Sequence, residues 1–285
     1  VGYAKLWIMN GTRTFENSIG SLNELPKKQI NFIKDEIIEI NYNDNFVTTK
    51  SEDISFDFLI ISMGAVLAPE KIPGLVENGF NLYDHNQLDE IHHKLDKIES
   101  GKIAIVIMAM PYKCPPAPFE ASLLVDSMLR KRGIRDSIQI DFYSPVPITL
   151  PAAGPEVSKK ILDLVNSEKI IFHNSKKIIR VEPKKLIFEN DEYSFDILLA
   201  IPPHTAPKVI YDSNLAKEPG FIPINRDCKT PHENIFAVGD VTSLVVTDSM
   251  AVPKAGVFAE GEGIAVAKNI VSKLLSKEPS VLFDG

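Results

Sequence analysis

The stretch Lys102-Ile-Ala-Ile-Val-Ile-Met-Ala-Met110 is apolar without alternation, and a proline-rich turn carries it into Ala121-Ser-Leu-Leu-Val-Asp-Ser-Met-Leu-Arg-Lys-Arg132. A strand that is apolar on both faces has to be covered on both, as inside a parallel sheet flanked by helices. The amphipathic pattern after the turn supplies one such helix. The segment therefore reads as strand 102–110, a turn and helix 118–132. It continues as strand Ile138 to Tyr143, helix Pro155 to Ser167 and strand Ile170 to Phe172. That alternation is a doubly wound α/β domain.

The turn decides what such a unit can bind. A βα turn cradles a pyrophosphate when glycines let the backbone approach it at the helix N-terminus. Met110 to Pro118 holds no glycine; Pro115, Pro116 and Pro118 fill the space, fixing φ and removing N–H donors. What the turn presents is Cys114. A thiol beside a helix N-terminus and next to Lys113 meets a positive local potential, which makes Cys114 a candidate redox thiol, with a buried inert cysteine as the competing reading. Glu120 falls in the first turn of the same helix, where it complements the helix dipole or takes part in proton transfer; both readings stay open.

Composition sets the outer bounds. With 285 residues, 44% of them hydrophobic, the chain can bury two cores. A net charge of -7, from 31 basic and 38 acidic residues, gives no global field for nucleic acid, which is excluded as an expected partner. Two cysteines far apart, Cys114 and Cys228, indicate a reducing compartment rather than a disulfide scaffold. His85, His92, His93, His173, His204 and His232 lack metal-ligand spacing, so no metal is expected. The longest apolar run is strand-sized, and any membrane contact would be peripheral. The chain opens Val1-Gly2-Tyr3 and closes Leu282-Phe-Asp-Gly285, and it reads as a piece of something longer.

A duplication runs through it. Ile37 to Ile40 through Ser55 to Ile61 resembles Ile178 to Val181 through Ser194 to Leu199: a meander, an Asp (Asp57, Asp196), then an apolar return strand. Polar turns, Asn41 to Asn45 and Glu182 to Lys185, link the β-rich runs. Each copy ends in a small or proline-rich turn, Ser62-Met63-Gly64-Ala65 and Pro202-Pro203-His204-Thr205. A complete βαβ unit precedes the second copy. Only residues 1–36 precede the first, with Lys27 to Phe32 read as a short feeding strand and no Gly-x-Gly-x-x-Gly turn. The expectation is a first domain lacking its leading βαβ unit, the one that binds the ADP half of a dinucleotide.

Asn234-Ile-Phe-Ala-Val-Gly-Asp240 reads as a short strand ending in Gly239-Asp240, followed by Val252-Pro-Lys-Ala-Gly256 and an apolar helix from Val257 to Leu275. A carboxylate at a strand end that faces a helix start can hydrogen-bond the hydroxyls of a flavin's ribityl chain; a plain turn is the alternative.

In Tyr112 through Glu120, Phe56-Asp57 through Gly64-Ala65, Asn234 through Asp240 and Pro253-Lys254-Ala255-Gly256, the chain resembles the FAD-dependent pyridine nucleotide-disulfide oxidoreductase superfamily. It is most similar to the sulfide:quinone oxidoreductase and flavocytochrome c sulfide dehydrogenase branch. The resemblance implies an α/β fold with two Rossmann-like dinucleotide-binding domains: 1–80 a partial FAD-binding domain, 81–212 a second, NAD-like domain carrying Cys114, and 213–285 a return to the first. It implies FAD held by Gly64, Ala65, Gly239, Asp240, Pro253, Lys254 and Ala255, with Lys254 near the isoalloxazine and Cys114 facing it. It also implies sulfide oxidation through Cys114, with electrons passing to a quinone or cytochrome, in the cytoplasm or on the membrane surface, as a monomer or an oligomer. The family's other redox cysteine normally lies beyond a motif like Phe283-Asp284-Gly285, and Cys228 is read as structural. Two other readings are a type II NADH dehydrogenase, which the glycine-free turn argues against, and a catalytically silent flavoprotein-like module.

Overall fold

The computed structural model describes residues 4–22, 25, 28–247, 250–278 and 281–284. Val1 to Tyr3, Lys27 and Gly285 lie outside them. The feeding strand expected at 27–32 does not form over its described part: Gln29 takes a left-handed φ of 60°, which interrupts an extended run, and residues 30–36 pair with no strand.

Two compact units make up the chain, Val1–Ser21 with Leu67–Pro203, and Leu22–Val66 with His204–Gly285. In the first, five parallel strands lie in the order Phe80–Asn81, Ile197–Ile201, Gly101–Ile107, Ile138–Tyr143, Ile170–His173. The central strand explains the unalternating sequence. Ile103, Ile105 and Ile107 enter one core with Phe119, Val125 and Leu129 of the Ala117–Lys131 helix. Ala104 and Val106 enter a second core with Leu186 and Phe188. The strand stops at Ile107 rather than Met110, and the helix Gly154–Ser167 follows the Ile138–Tyr143 strand. A helix that the pattern did not suggest, Lys5–Met9, buries Leu6, Ile8 and Met9 in the first of these cores. Residues 1–80 are thus divided between the two units.

The second unit is built on a parallel pair, Leu59–Ile61 with Ile235–Ala237, beside the long helix Gly256–Leu274, which buries Ala265 and Val266 in the core shared with Phe236 and Val241.

Each unit carries one copy of the same meander. Ile37–Asn41, Phe46–Thr49 and Asp53–Ser55 pair antiparallel, as do Ile178–Glu182, Lys185–Phe188 and Glu192–Ser194. The register slips at the equivalent place in both, between Ile37 and Glu39 and between Ile178 and Arg180. A left-handed residue closes each first turn, Asn45 (φ 56°) and Lys184 (φ 59°), and its carbonyl accepts the N–H of Phe56 or Phe195 at 3.0 Å. The copies differ in the length of that turn: Asn41 pairs Phe46 in one, while Glu182 pairs Lys185 in the other.

Candidate active site

Beyond Ile107 the chain leaves the sheet and turns into the Ala117–Lys131 helix, with Pro118 in its first turn. Cys114 stands in that turn, exposed and at a left-handed φ of 53°. This is an uncommon conformation for a side-chain-bearing residue and has to be held by its surroundings. Two buried tyrosines supply part of the hold. The Tyr83 hydroxyl donates to the Cys114 carbonyl at 3.3 Å, and the Tyr112 hydroxyl donates to the Pro115 carbonyl at 3.0 Å. The Ala117 N–H donates to the same Cys114 carbonyl at 2.9 Å. Burial, and then negative charge on Cys114, push the Tyr112 phenol above its ordinary range. Lys5 donates its Nζ to the Tyr83 carbonyl at 2.7 Å. Burial and Lys113 lower its pKa, while Asp84 and Cys114 raise it. Glu120 is exposed in the first turn of the helix.

Cys228 contrasts with Cys114. It is fully buried, its carbonyl accepts the Ala237 N–H at 3.1 Å, and burial, with Glu262 and Asp227, pushes its thiol up to about 12.

In the second unit, Gly64 follows the Leu59–Ile61 strand and Gly239 follows Ile235–Ala237, at left-handed φ of 69° and 75°. Because the strands are parallel neighbours, both turns leave the same C-terminal edge, where open α/β sheets take their ligands. The backbone is open at Gly64, where a Cβ would meet nothing within 4 Å, and close-packed at Gly239, where one would stand only 3.3 Å from the Ala259 Cβ. Gly239, Pro253, Lys254 and Ala255 line one cavity with Thr242 and Glu262; at about 10 Å³ it is the size of a water molecule, not of a flavin.

Lys254 is buried and points back at the turn, donating to the carbonyls of Asp240 (2.7 Å) and Thr242 (2.9 Å) and standing 3.4 Å over the Phe221 ring. Burial lowers its pKa to about 8 against the opposing pull of Asp240 and Glu262. Glu262 comes from the Gly256–Leu274 helix and is 2% exposed; its carboxylate accepts the Gly239 N–H at 2.5 Å. Burial raises its pKa, while that N–H and Lys254 lower it. A carboxylate and an ammonium thus clamp the Gly239-Asp240 turn from two sides.

Gly239, Asp240, Pro253, Lys254 and Ala255 therefore come together, with Gly64 and Ala65 on the neighbouring turn, while Cys114 and Glu120 belong to the other unit. Lys5, Tyr83 and Glu262 were not among the residues singled out from the sequence. Only Glu262 left a trace there, as an acid inside Glu260-Gly261-Glu262-Gly263 of an otherwise apolar helix. Among the described residues no three His, Cys, Asp or Glu side chains group as a metal site, and no helix is long and apolar enough to cross a membrane.

Parallel strands in each unit and a duplicated meander define an α/β fold with two Rossmann-like domains. The chain is 29% identical to the sulfide-quinone reductase of Aquifex aeolicus over 285 residues, covering 93% of this chain and 66% of that protein. It is 27% identical to the mitochondrial sulfide:quinone oxidoreductase of Dictyostelium discoideum over 269 residues, covering 87% and 59%. The crystal structure of the sulfide:quinone oxidoreductase from Aquifex aeolicus superposes with a TM-score of 0.87 at 28% identity, over 96% of this chain and 68% of that one. Type II NADH:quinone oxidoreductases of Staphylococcus aureus match at 20% identity. No family model matches. Over most of its length the chain is thus similar to sulfide:quinone oxidoreductases, in sequence and in fold. It spans less than two thirds of the length of the curated relatives named first.

Proposed function

We propose that this chain is part of an enzyme that oxidises sulfide, with FAD as its redox group and a quinone as electron acceptor. One observation carries the reading. Where a nucleotide-binding unit needs glycines, the turn offers an exposed Cys114 in a left-handed conformation, fixed by two buried tyrosine hydroxyls ahead of a helix N-terminus. A turn so built presents a thiolate to a small sulfur species. The net chemistry balances: hydrosulfide and a cysteine thiolate give a cysteine persulfide, one proton and two electrons, and the quinone takes up two electrons and two protons. In this reading the first unit is the second, NAD-like domain and the second unit is FAD-binding.

The second unit fits the flavin end of FAD. Two left-handed glycines stand on adjacent strand ends, Gly64 with open space beside it, a carboxylate (Asp240) follows Gly239, and the helix Gly256–Leu274 starts beside it. Gly64, Ala65, Gly239 and Asp240 would hold the group, with Pro253, Lys254 and Ala255 shaping the helix start. FAD, when bound, supplies the two-electron acceptor. Cys114 holds the sulfur atom, and Lys254 and Glu262 hold the Gly239-Asp240 turn in position. Membrane contact in this reading is peripheral.

The test is the anaerobic visible spectrum of the full-length protein. Sulfide is expected to bleach the oxidised-flavin band, NADH to leave it, and Cys114→Ser to abolish the sulfide response. Bleaching by NADH alone would move the protein to the NADH dehydrogenases, and the absence of any flavin band would make it a silent module.

A further inference from the structure

We infer that Lys5 is a positioning residue for Cys114: an ammonium brought in by the Lys5–Met9 helix that favours the charged form of the thiol. The inference rests on the redox role proposed for Cys114 and extends it to a residue far away in sequence.

The geometry is a two-link chain through Tyr83. The Lys5 Nζ donates to the Tyr83 carbonyl at 2.7 Å, and the Tyr83 hydroxyl donates to the Cys114 carbonyl at 3.3 Å. Tyr83 is 4% exposed, so it is a fixed strut between the two. The Lys5–Met9 helix is anchored in turn, since Leu6, Ile8 and Met9 are core residues of the same unit. A lysine held this way loses rotamer freedom without neutralising its charge, because a backbone carbonyl is an uncharged acceptor.

The charged groups that face Lys5 are Lys113, Asp84 and Cys114. Burial and Lys113 act against the ammonium, and Asp84 and Cys114 act for it. Coupling between two titrating groups is mutual: if a negative charge on Cys114 favours the charged lysine, the charged lysine favours the thiolate to the same degree. Lys113, next in sequence to the cysteine, adds a positive charge. The two tyrosines have a different part, since their hydroxyls are directed at the carbonyls of residues 114 and 115 and hold the turn.

The experiment is the pH dependence of iodoacetamide alkylation of Cys114 in the full-length protein, read by mass on the Cys114 peptide. Lys5→Met is expected to move the alkylation midpoint to higher pH and slow the reaction at pH 7 by about threefold or more, while Lys5→Arg keeps the wild-type midpoint. An unmoved midpoint in Lys5→Met overturns the inference. If Lys5→Met fails to fold, Lys5→Gln decides the matter: it keeps a polar tip for the Tyr83 carbonyl without the charge, and the midpoint should again move to higher pH. An unmoved midpoint in that variant overturns the inference. Alkylation needs no sulfide turnover. A protein that sulfide does not reduce, yet whose midpoint moves in Lys5→Met, would sink the proposed activity and leave Lys5 standing. A sulfide-reducible protein with an unmoved midpoint would do the reverse.

Discussion

Cys114 and Cys228 share a left-handed backbone, with φ of 53° and 60°, and differ in everything that governs thiol chemistry. The first is exposed, while the second is fully buried, with its thiol pushed up to about 12 by burial, Glu262 and Asp227. Native protein should therefore react with Ellman's reagent at Cys114 and stay silent at Cys228, and Cys114→Ser should show no fast thiol until it is unfolded. A fast-reacting thiol mapped by mass to the Cys228 peptide of native Cys114→Ser would show that Cys228 is not the inert residue its burial makes it. The cysteine, the prolines around it and the Gly-Asp turn were legible because each is a local departure from what packing alone asks for. Their supports were not. Lys5 reaches Tyr83 across 78 positions, Tyr83 reaches Cys114 across 31, and Glu262 reaches Gly239 across 23, and no periodicity encodes such pairings.

Elements were read from patterns that physics makes short-ranged, and they were right where burial follows the pattern. Strand Ile138–Tyr143 has the bounds its sequence suggests, and the helices at 117, 154 and 256 begin one residue before theirs. The apolar run at Met108 to Met110 misleads, because hydrophobicity continues there after ladder pairing stops; Met108 is buried, yet Met110 is 46% exposed. The meanders show what a repeat adds, since two stretches of different residues keep the same register slip and the same left-handed turn residue. One glycine ties the second meander to its unit. Gly74 has a φ of 76°, and a Cβ there would lie 2.0 Å from the Val181 carbonyl oxygen, which is backbone and cannot swing away. Gly74→Ala should thus destabilise the first unit by about 3 kcal/mol or more, through strain and displacement of the Ile178–Glu182 strand, measurable by urea unfolding. A loss below about 1 kcal/mol would mean that the strand can move off at little cost.

At the scale of the whole molecule, folding changes how Lys254 and Glu262 hold their protons. Lys254 falls from its ordinary 10.5 to about 8 on folding because it is buried. Between pH 8 and 10.5 the unfolded chain therefore binds a proton that the folded chain has released. Stability contributed by this residue rises with pH across that window, by at most about 3 kcal/mol. Glu262 runs the other way and elsewhere on the scale: burial raises its pKa, so the folded state keeps its proton longer and stability falls as pH climbs above the ordinary carboxyl value of 4.5. Lys254→Met removes the upper window. Measured by urea unfolding at several pH values, the stability of the wild type relative to this variant should increase from pH 8 towards pH 10. The variant itself, having lost the bonds to the Asp240 and Thr242 carbonyls, should also, at the flavin site proposed above, hold flavin less tightly than the wild type. A wild-type advantage that stays flat between pH 8 and 10 would mean that Lys254 keeps an ordinary ammonium in the fold, with water reaching it through the turn.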